Sequence, residues 1–189
     1  ADSNAQFEAF KVGRDINVRV EPIISQWVRE YDFPAVKAGK VKKMSLSNKM
    51  PAFTSGLFLN TRRPLFKSLK TRKALNFLMD FNWINKTQFE NMYQRNHSYF
   101  AKSDFDSSQN LKITSPYSAE DLELGDYKTH GELRDGIAKA QALLKEDGWN
   151  LKNGILSKGD MVFSFEILLR SQNYAKIFSN FIDTLQRCG

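Results

Sequence analysis

The sequence predicts an α/β fold, a mixed sheet flanked by helices, and three observations carry the prediction. Apolar residues recur at helical spacing in Glu132 to Asp147 and again in Gln172 to Arg187. Met161, Phe163, Phe165, Ile167 and Leu169 occupy every second position, the period of a strand with one buried face. Helical and strand-like stretches interleave along the chain, and Asn153-Gly154 between Leu151 and Ile155 is a hairpin signal.

The elements follow in order. Asn4 to Val12 reads as a short helix with Phe7 and Phe10 on one face and Gly13 as its stop. Ile16, Val18 and Val20 alternate with Asn17 and Arg19, a half-buried strand with its valines inward. Pro22 opens a helical stretch with Ile23, Ile24, Trp27 and Val28, and Pro34 to Gly39 forms a further turn. Val41, Met44 and Leu46 hint at another strand, and Ser47 to Ser55 reads as a loop. Gly56 to Asn60 is apolar on both faces, as a central strand is, and Pro64 breaks the chain after it. Ser68 is a suitable N-cap for a helix from Leu69 to Asp80. A second helix spans Asn82 to Tyr93, with Trp83 and Phe89 expected in its core-facing stripe. Residues 94 to 130 are polar and poorly periodic, a length that in a compact domain usually carries function.

Composition narrows the class. With 41% hydrophobic and 26% charged residues the chain is globular in character. No apolar run approaches the roughly 20 residues that span a bilayer. The net charge of +7 is spread along the chain, with its densest groups at Lys37, Lys40, Lys42, Lys43 and from Arg62 to Lys73. Such a surface is ordinarily solvated, and the sequence does not point to nucleic acid. A basic interaction module on anionic membrane or nucleic acid is the alternative function, and it predicts binding that weakens steeply with salt.

Catalytic templates are missing. The glycines never reach the spacing of a phosphate loop, and no serine sits in a Gly-x-Ser-x-Gly elbow. Cys188 stands alone, and His97 and His130 are far apart, so neither a disulfide nor a metal site is expected. Asp104 with Asp106, and Glu120 with Asp121, lie in a polar stretch without apolar surroundings to split their pKa values. No enzyme and no cofactor is predicted. Asn85-Lys86-Thr87 and Asn96-His97-Ser98 match the short glycosylation pattern, which is frequent by chance. The most distinctive stretch is 81 to 100, where Phe81, Trp83, Phe89, Tyr93, Tyr99 and Phe100 interleave with amides, hydroxyls and Arg95. Aromatic and amide groups together suit adaptable polar ligands.

Four ordered motifs carry a family resemblance. Asn60-Thr61-Arg62-Arg63-Pro64-Leu65-Phe66, followed by Thr71-Arg72-Lys73-Ala74-Leu75-Asn76, resembles the signature of the peptide, dipeptide and nickel class of solute-binding proteins. Asp80-Phe81-Asn82-Trp83-Ile84-Asn85-Lys86, then Tyr93-Gln94-Arg95-Asn96-His97-Ser98-Tyr99-Phe100, resembles the Yej-type oligopeptide-binding subfamily. Phe7 to Gly13 and Ala142 to Trp149 resemble that subfamily's flanking motifs.

The resemblance implies a bilobal periplasmic-binding-protein type II fold that closes on a ligand by hinge motion. It implies capture of oligopeptides in the periplasm, largely through backbone groups, and docking on the ABC permease of the inner membrane. Residues 1–50 would then end the first lobe and cross over, and 51–189 would form the first half of the second lobe. Gly189 directly after a core-facing helix leads one to expect a further strand, hence an excerpt, for which non-native self-association is conceivable. Tyr93, Arg95, Ser98, Tyr99 and Asn60 are the expected ligand-binding residues, by position. Tyr93 and Tyr99 would stack or hydrogen-bond, Arg95 would pair with a carboxylate or carbonyl, and Ser98 would meet backbone groups. Asn60 would either orient the ligand or tie down the turn before Pro64. Asp104 to Gly131 is more polar than the subfamily's pattern, and Ala119 to Asp126 is acidic, which leaves the ligand's identity open.

Overall fold

The computed structural model describes residues 2–14, 17–21, 23–46, 50, 55–96, 98, 100–106, 125–169 and 172–189. Its helices are α1 (Ser3–Lys11), α2 (Ile24–Arg29), α3 (Pro34–Lys37), α4 (Pro64–Lys67), α5 (Leu69–Phe77), α6 (Phe81–Gln88), α7 (His130–Glu146) and α8 (Ala175–Cys188). Its strands are β1 (Asn150–Lys152), β2 (Ile155–Lys158) and β3 (Met161–Val162). The fold is mixed α/β, and the sheet of the described residues is an antiparallel meander in the order β1-β2-β3.

A small aromatic cluster organises the N-terminal part. Asp2 caps α1 by accepting the Asn4 N–H at 2.9 Å. Phe7 and Phe10 then meet Phe33 edge to face, with Tyr31 packed alongside. The strand expected over Ile16 to Val20 is inverted where it is described. Val18 and Val20 are 84% and 87% exposed, whereas the side chains of Arg19 and Glu21 are 4% and 1% exposed. Alternation sets which residues share a face but not which face is inside. Here the polar face wins because its charges are fully satisfied. Arg19 Nε donates to Glu21 at 3.0 Å, Tyr31 Oη and the Ile23 N–H donate to the same carboxylate, and the guanidinium lies over the Phe7 ring. Burial pushes the Glu21 carboxyl upward, but these donors outweigh it and hold it below the ordinary carboxylate range. Met44 and Leu46 are exposed and join no ladder among the described residues.

The larger core lies between α5 and α7. Ala74, Leu75 and Leu78 pack against Ala140 and Leu144, with Trp149, Leu156 and Phe181 closing the ends. Pro64 starts a helix rather than ending a segment, because its fixed φ and missing N–H suit the first helical turn of α4. Ser68 occupies the N-cap position of α5, yet its side chain makes no cap bond. Its hydroxyl donates to Asp147 Oδ1 at 2.7 Å, while Thr71 donates to Oδ2 at 2.7 Å and accepts from Trp149 Nε1 at 3.1 Å. This relay, buried at Thr71 and Trp149, bolts the start of α5 to the end of α7. Thr129 caps α7 and starts it earlier than the apolar period indicates: its Oγ1 accepts the Glu132 N–H, and the Glu132 carboxylate reaches back past the cap to accept the Lys128 N–H.

The hairpin forms as its Asn-Gly signal predicts. Asn153 and Gly154 take φ of 53° and 77°, which matches the twist of β1 and β2, with Leu151 opposite Leu156. The alternating stretch after β3 keeps its period without a ladder. From Phe163 to Leu169 odd residues are half-buried and even ones exposed, Leu168 by 98%. Gly56 to Asn60 is not a central strand among the described residues. Leu57 and Leu59 pack on the core while Phe58 is 79% exposed, so one face alone is covered.

Candidate functional site

Short side-chain-to-backbone bonds build the aromatic stretch 81 to 100 from α6 outward. Asp80 caps α6, accepting the Trp83 N–H at 3.0 Å. Its carboxyl is buried, and burial, with the Asp126 charge nearby, pushes its pKa up against the Trp83 N–H. Ile84 rather than Trp83 faces the core; Trp83 is 37% exposed. Two residues with positive φ, Glu90 and Asn91, turn the chain back after the helix. Asn85 then clamps the return. Its Oδ1 accepts the Tyr93 N–H at 3.0 Å and its Nδ2 donates to the Tyr93 carbonyl at 2.8 Å. Both ends of the amide are engaged, so the Asn85-Lys86-Thr87 pattern describes a structural clamp.

Truncating that clamp has a defined cost. Asn85 is buried, and Asn85→Ala leaves two backbone groups without partners, for an expected loss of about 2 kcal/mol. Urea denaturation measures it; a change under about 0.5 kcal/mol would contradict the clamp.

The predicted site residues divide by role. Tyr93 is exposed, and its ring meets Phe89 at 4.4 Å with an interplanar angle of 65°. Arg95 is engaged within the chain: Nε donates to Asp126 Oδ1 at 2.9 Å, and the guanidinium covers the Phe81 ring at 5.0 Å. Ser98 Oγ accepts the Phe100 N–H at 3.1 Å, closing a local turn. Asn60 Oδ1 accepts the Arg62 N–H at 3.2 Å, and its carbonyl accepts the Arg63 N–H, so it ties down the turn that leads into α4. Tyr99 and His97 lie outside the described residues. Trp83, Met92, Phe100 and Phe105 are all substantially exposed, and Phe100 and Phe105 contact each other at 6.2 Å. The result is a solvent-facing surface of rings, amides and hydroxyls, held by the polar bonds of Asp80, Asn85 and Arg95.

Sequence reasoning missed Asp80, Asn85, Asp126 and Tyr127 as the supports of this surface. The spacing of Asp80 to Trp83 is a readable N-cap signal. Asp126 and Tyr127 had none, because their partners lie 31 and 50 residues away. Elsewhere, an apolar groove of about 510 Å³ runs between Phe163–Leu169 and α8, lined by Phe163, Phe165, Ile167, Phe178 and Ile182. Its few polar groups suit a peptide backbone poorly. Cys188 is buried with its thiol pushed up to about 11, hence unreactive at neutral pH. No helix among the described residues is long and apolar enough to cross a membrane.

This exposed ring-and-amide surface sits on a mixed α/β scaffold, and comparison with known proteins shows the family to which that scaffold belongs. The family described as bacterial extracellular solute-binding proteins, family 5 Middle, matches residues 1–189, and the chain belongs to that family. A Brucella melitensis protein named only as a candidate binding protein is 34% identical over 97% of the chain and 32% of its own length. A probable peptide-binding protein of Agrobacterium fabrum, YejA, is 32% identical over 100% of the chain and 33% of its own length. A peptidoglycan-binding protein of the same organism, YepA, is 30% identical over 90% of the chain and 31% of its own length. The chain thus spans about a third of the length of these relatives.

Proposed function

We propose that this chain belongs to the substrate-binding component of an ABC importer that captures oligopeptides in the periplasm and delivers them to a permease in the inner membrane. The observation that carries this is the match of the whole chain, residues 1–189, to the solute-binding family. Residues 1–50 serve as the end of one lobe and its crossover, and 51–189 as part of the second lobe. The exposed face around Tyr93, with Ser98 and Phe100, lines the ligand cleft in this reading, while Arg95 and Asn60 hold its shape. Rings beside amide clamps suit peptides of varied sequence, since stacking tolerates side chains and the backbone supplies regular donors and acceptors.

Peptides derived from peptidoglycan are a second ligand class, favoured by one relative's name as a peptidoglycan-binding protein. Calorimetric titration of the full-length protein with tri- to pentapeptides and with a soluble muropeptide distinguishes the two. Saturable heat with either class supports the reading and names the ligand. No heat with either, from a protein that unfolds cooperatively, would refute it. Salt-dependent retention on heparin together with that silence would favour the basic-surface alternative.

A further inference from the structure

Two segments far apart in sequence, Tyr93–Arg95 outgoing and Gly125–Tyr127 returning, form a neck beside α6. The outgoing side is fixed at Tyr93 by Asn85. The returning side is fixed three times. Gly125 lies so close to the end of α5 that an added Cβ would meet the Asn76 carbonyl at 2.8 Å. Tyr127 Oη donates to the Phe77 carbonyl at 2.7 Å, and Asn82 Nδ2 donates to the Tyr127 carbonyl at 3.2 Å. Arg95 joins the two sides, bonding Asp126 Oδ1 and reaching the Gly125 carbonyl at 3.5 Å. Its guanidinium lies over the Phe81 ring, 5.0 Å from the centroid.

We propose that the Arg95–Asp126 pair is a latch that positions the Tyr93 face for ligand without touching the ligand. Tyr93 is held to α6 by Asn85, whereas Ser98 and Phe100 lie three and five residues beyond Arg95, so opening the pair releases them relative to Tyr93. The pair is partly exposed, at 17% and 38% for the two side chains, so its contribution to global stability is small. Its effect is on geometry, which small displacements of a binding face convert into affinity. The inference rests on the reading of the exposed face around Tyr93, Ser98 and Phe100 as a ligand face, and the test separates the two.

The experiment compares the full-length protein with Arg95→Glu, Asp126→Arg and the reversed double variant. Two readouts are taken: affinity for the peptide that binds the unaltered protein, and the rate of chymotryptic cleavage after Phe100 and Phe105. Each single change is expected to weaken peptide binding about fivefold, on the scale of one surface ion pair, and to accelerate cleavage by a similar factor. The double variant should recover at least half of both effects on a logarithmic scale. Loss of affinity in Arg95→Glu with none in Asp126→Arg, and no recovery in the double, would make Arg95 a direct ligand contact and overturn the latch. Unchanged cleavage in both single variants overturns it whether or not peptides bind. Altered and rescued cleavage without any peptide binding keeps the latch and refutes the peptide reading instead.

Discussion

Gly136→Ala destabilises the protein by about 1–3 kcal/mol, although alanine is the better helix former. Gly136 lies buried within α7. A Cβ there would stand 1.9 Å from Tyr127 Oη and 2.3 Å from Cζ, which no small adjustment relieves. The ring must leave its slot, and the hydrogen bond from Tyr127 to the Phe77 carbonyl leaves with it. The decisive form of the prediction is a change of sign. In a Tyr127→Ala background the slot is open, and Gly136→Ala then stabilises by up to about 1 kcal/mol through helix propensity. Chemical denaturation of the two singles and the double measures the cycle. Additive effects would show that Gly136 and Tyr127 do not share that space.

Asp147→Ala is the second large effect. The carboxylate accepts the hydroxyls of Ser68 and Thr71, faces Lys158 at 3.6 Å, and stands at the N-terminal end of α5, where negative charge is favoured. Truncation leaves the Thr71 hydroxyl, which is fully buried, without its acceptor. A loss of about 2–4 kcal/mol follows. The same site predicts acid sensitivity. Burial alone pushes the Asp147 carboxyl upward, but Ser68, Thr71 and the Lys158 charge together hold it below the ordinary value. A folded pKa below the unfolded one, near about 3.9, means the stabilisation is complete above that value and fades as pH drops through the folded pKa. Glu21 shifts in the same direction and adds to the same acid limb. Asp147→Asn should flatten the fall in melting temperature between neutral pH and about pH 3; an unaltered slope would place the acid sensitivity elsewhere.

These residues show where sequence reading succeeds and where it stops. Local signals were legible: Asn153-Gly154 made the hairpin, Phe7 and Phe10 shared a buried face, and the alternation from Met161 to Leu169 set which residues share the half-buried face, though the ladder stops at Val162. What failed was anything decided by distant partners. Ser68 had the identity of an N-cap, but Asp147, 79 residues away, offered a charged acceptor and took its hydroxyl. Val18 and Val20 had the pattern of a buried face, but Ser3, Phe7 and Tyr31 offered partners to Arg19 and Glu21, which went inside. At the candidate site the aromatic character of 81 to 100 was legible, because composition is local. The supports at Asn85 and Asp126 were not, since an amide or a carboxylate in a polar stretch looks the same whether it is solvated or holds the chain. Arg95 shows this most clearly: nothing near it in sequence points to the Asp126 and Gly125 oxygens that it bonds, 31 and 30 residues further on.

The central claim is that the face from Phe89 to Asp106 receives a peptide. Hydrogen exchange of the full-length protein with and without a saturating oligopeptide tests it most directly. Added protection of backbone amides is expected between residues 89 and 106, centred on Tyr93 and Phe100, with little change along α7. Saturating peptide that leaves every amide in that stretch exchanging at its unliganded rate would contradict it.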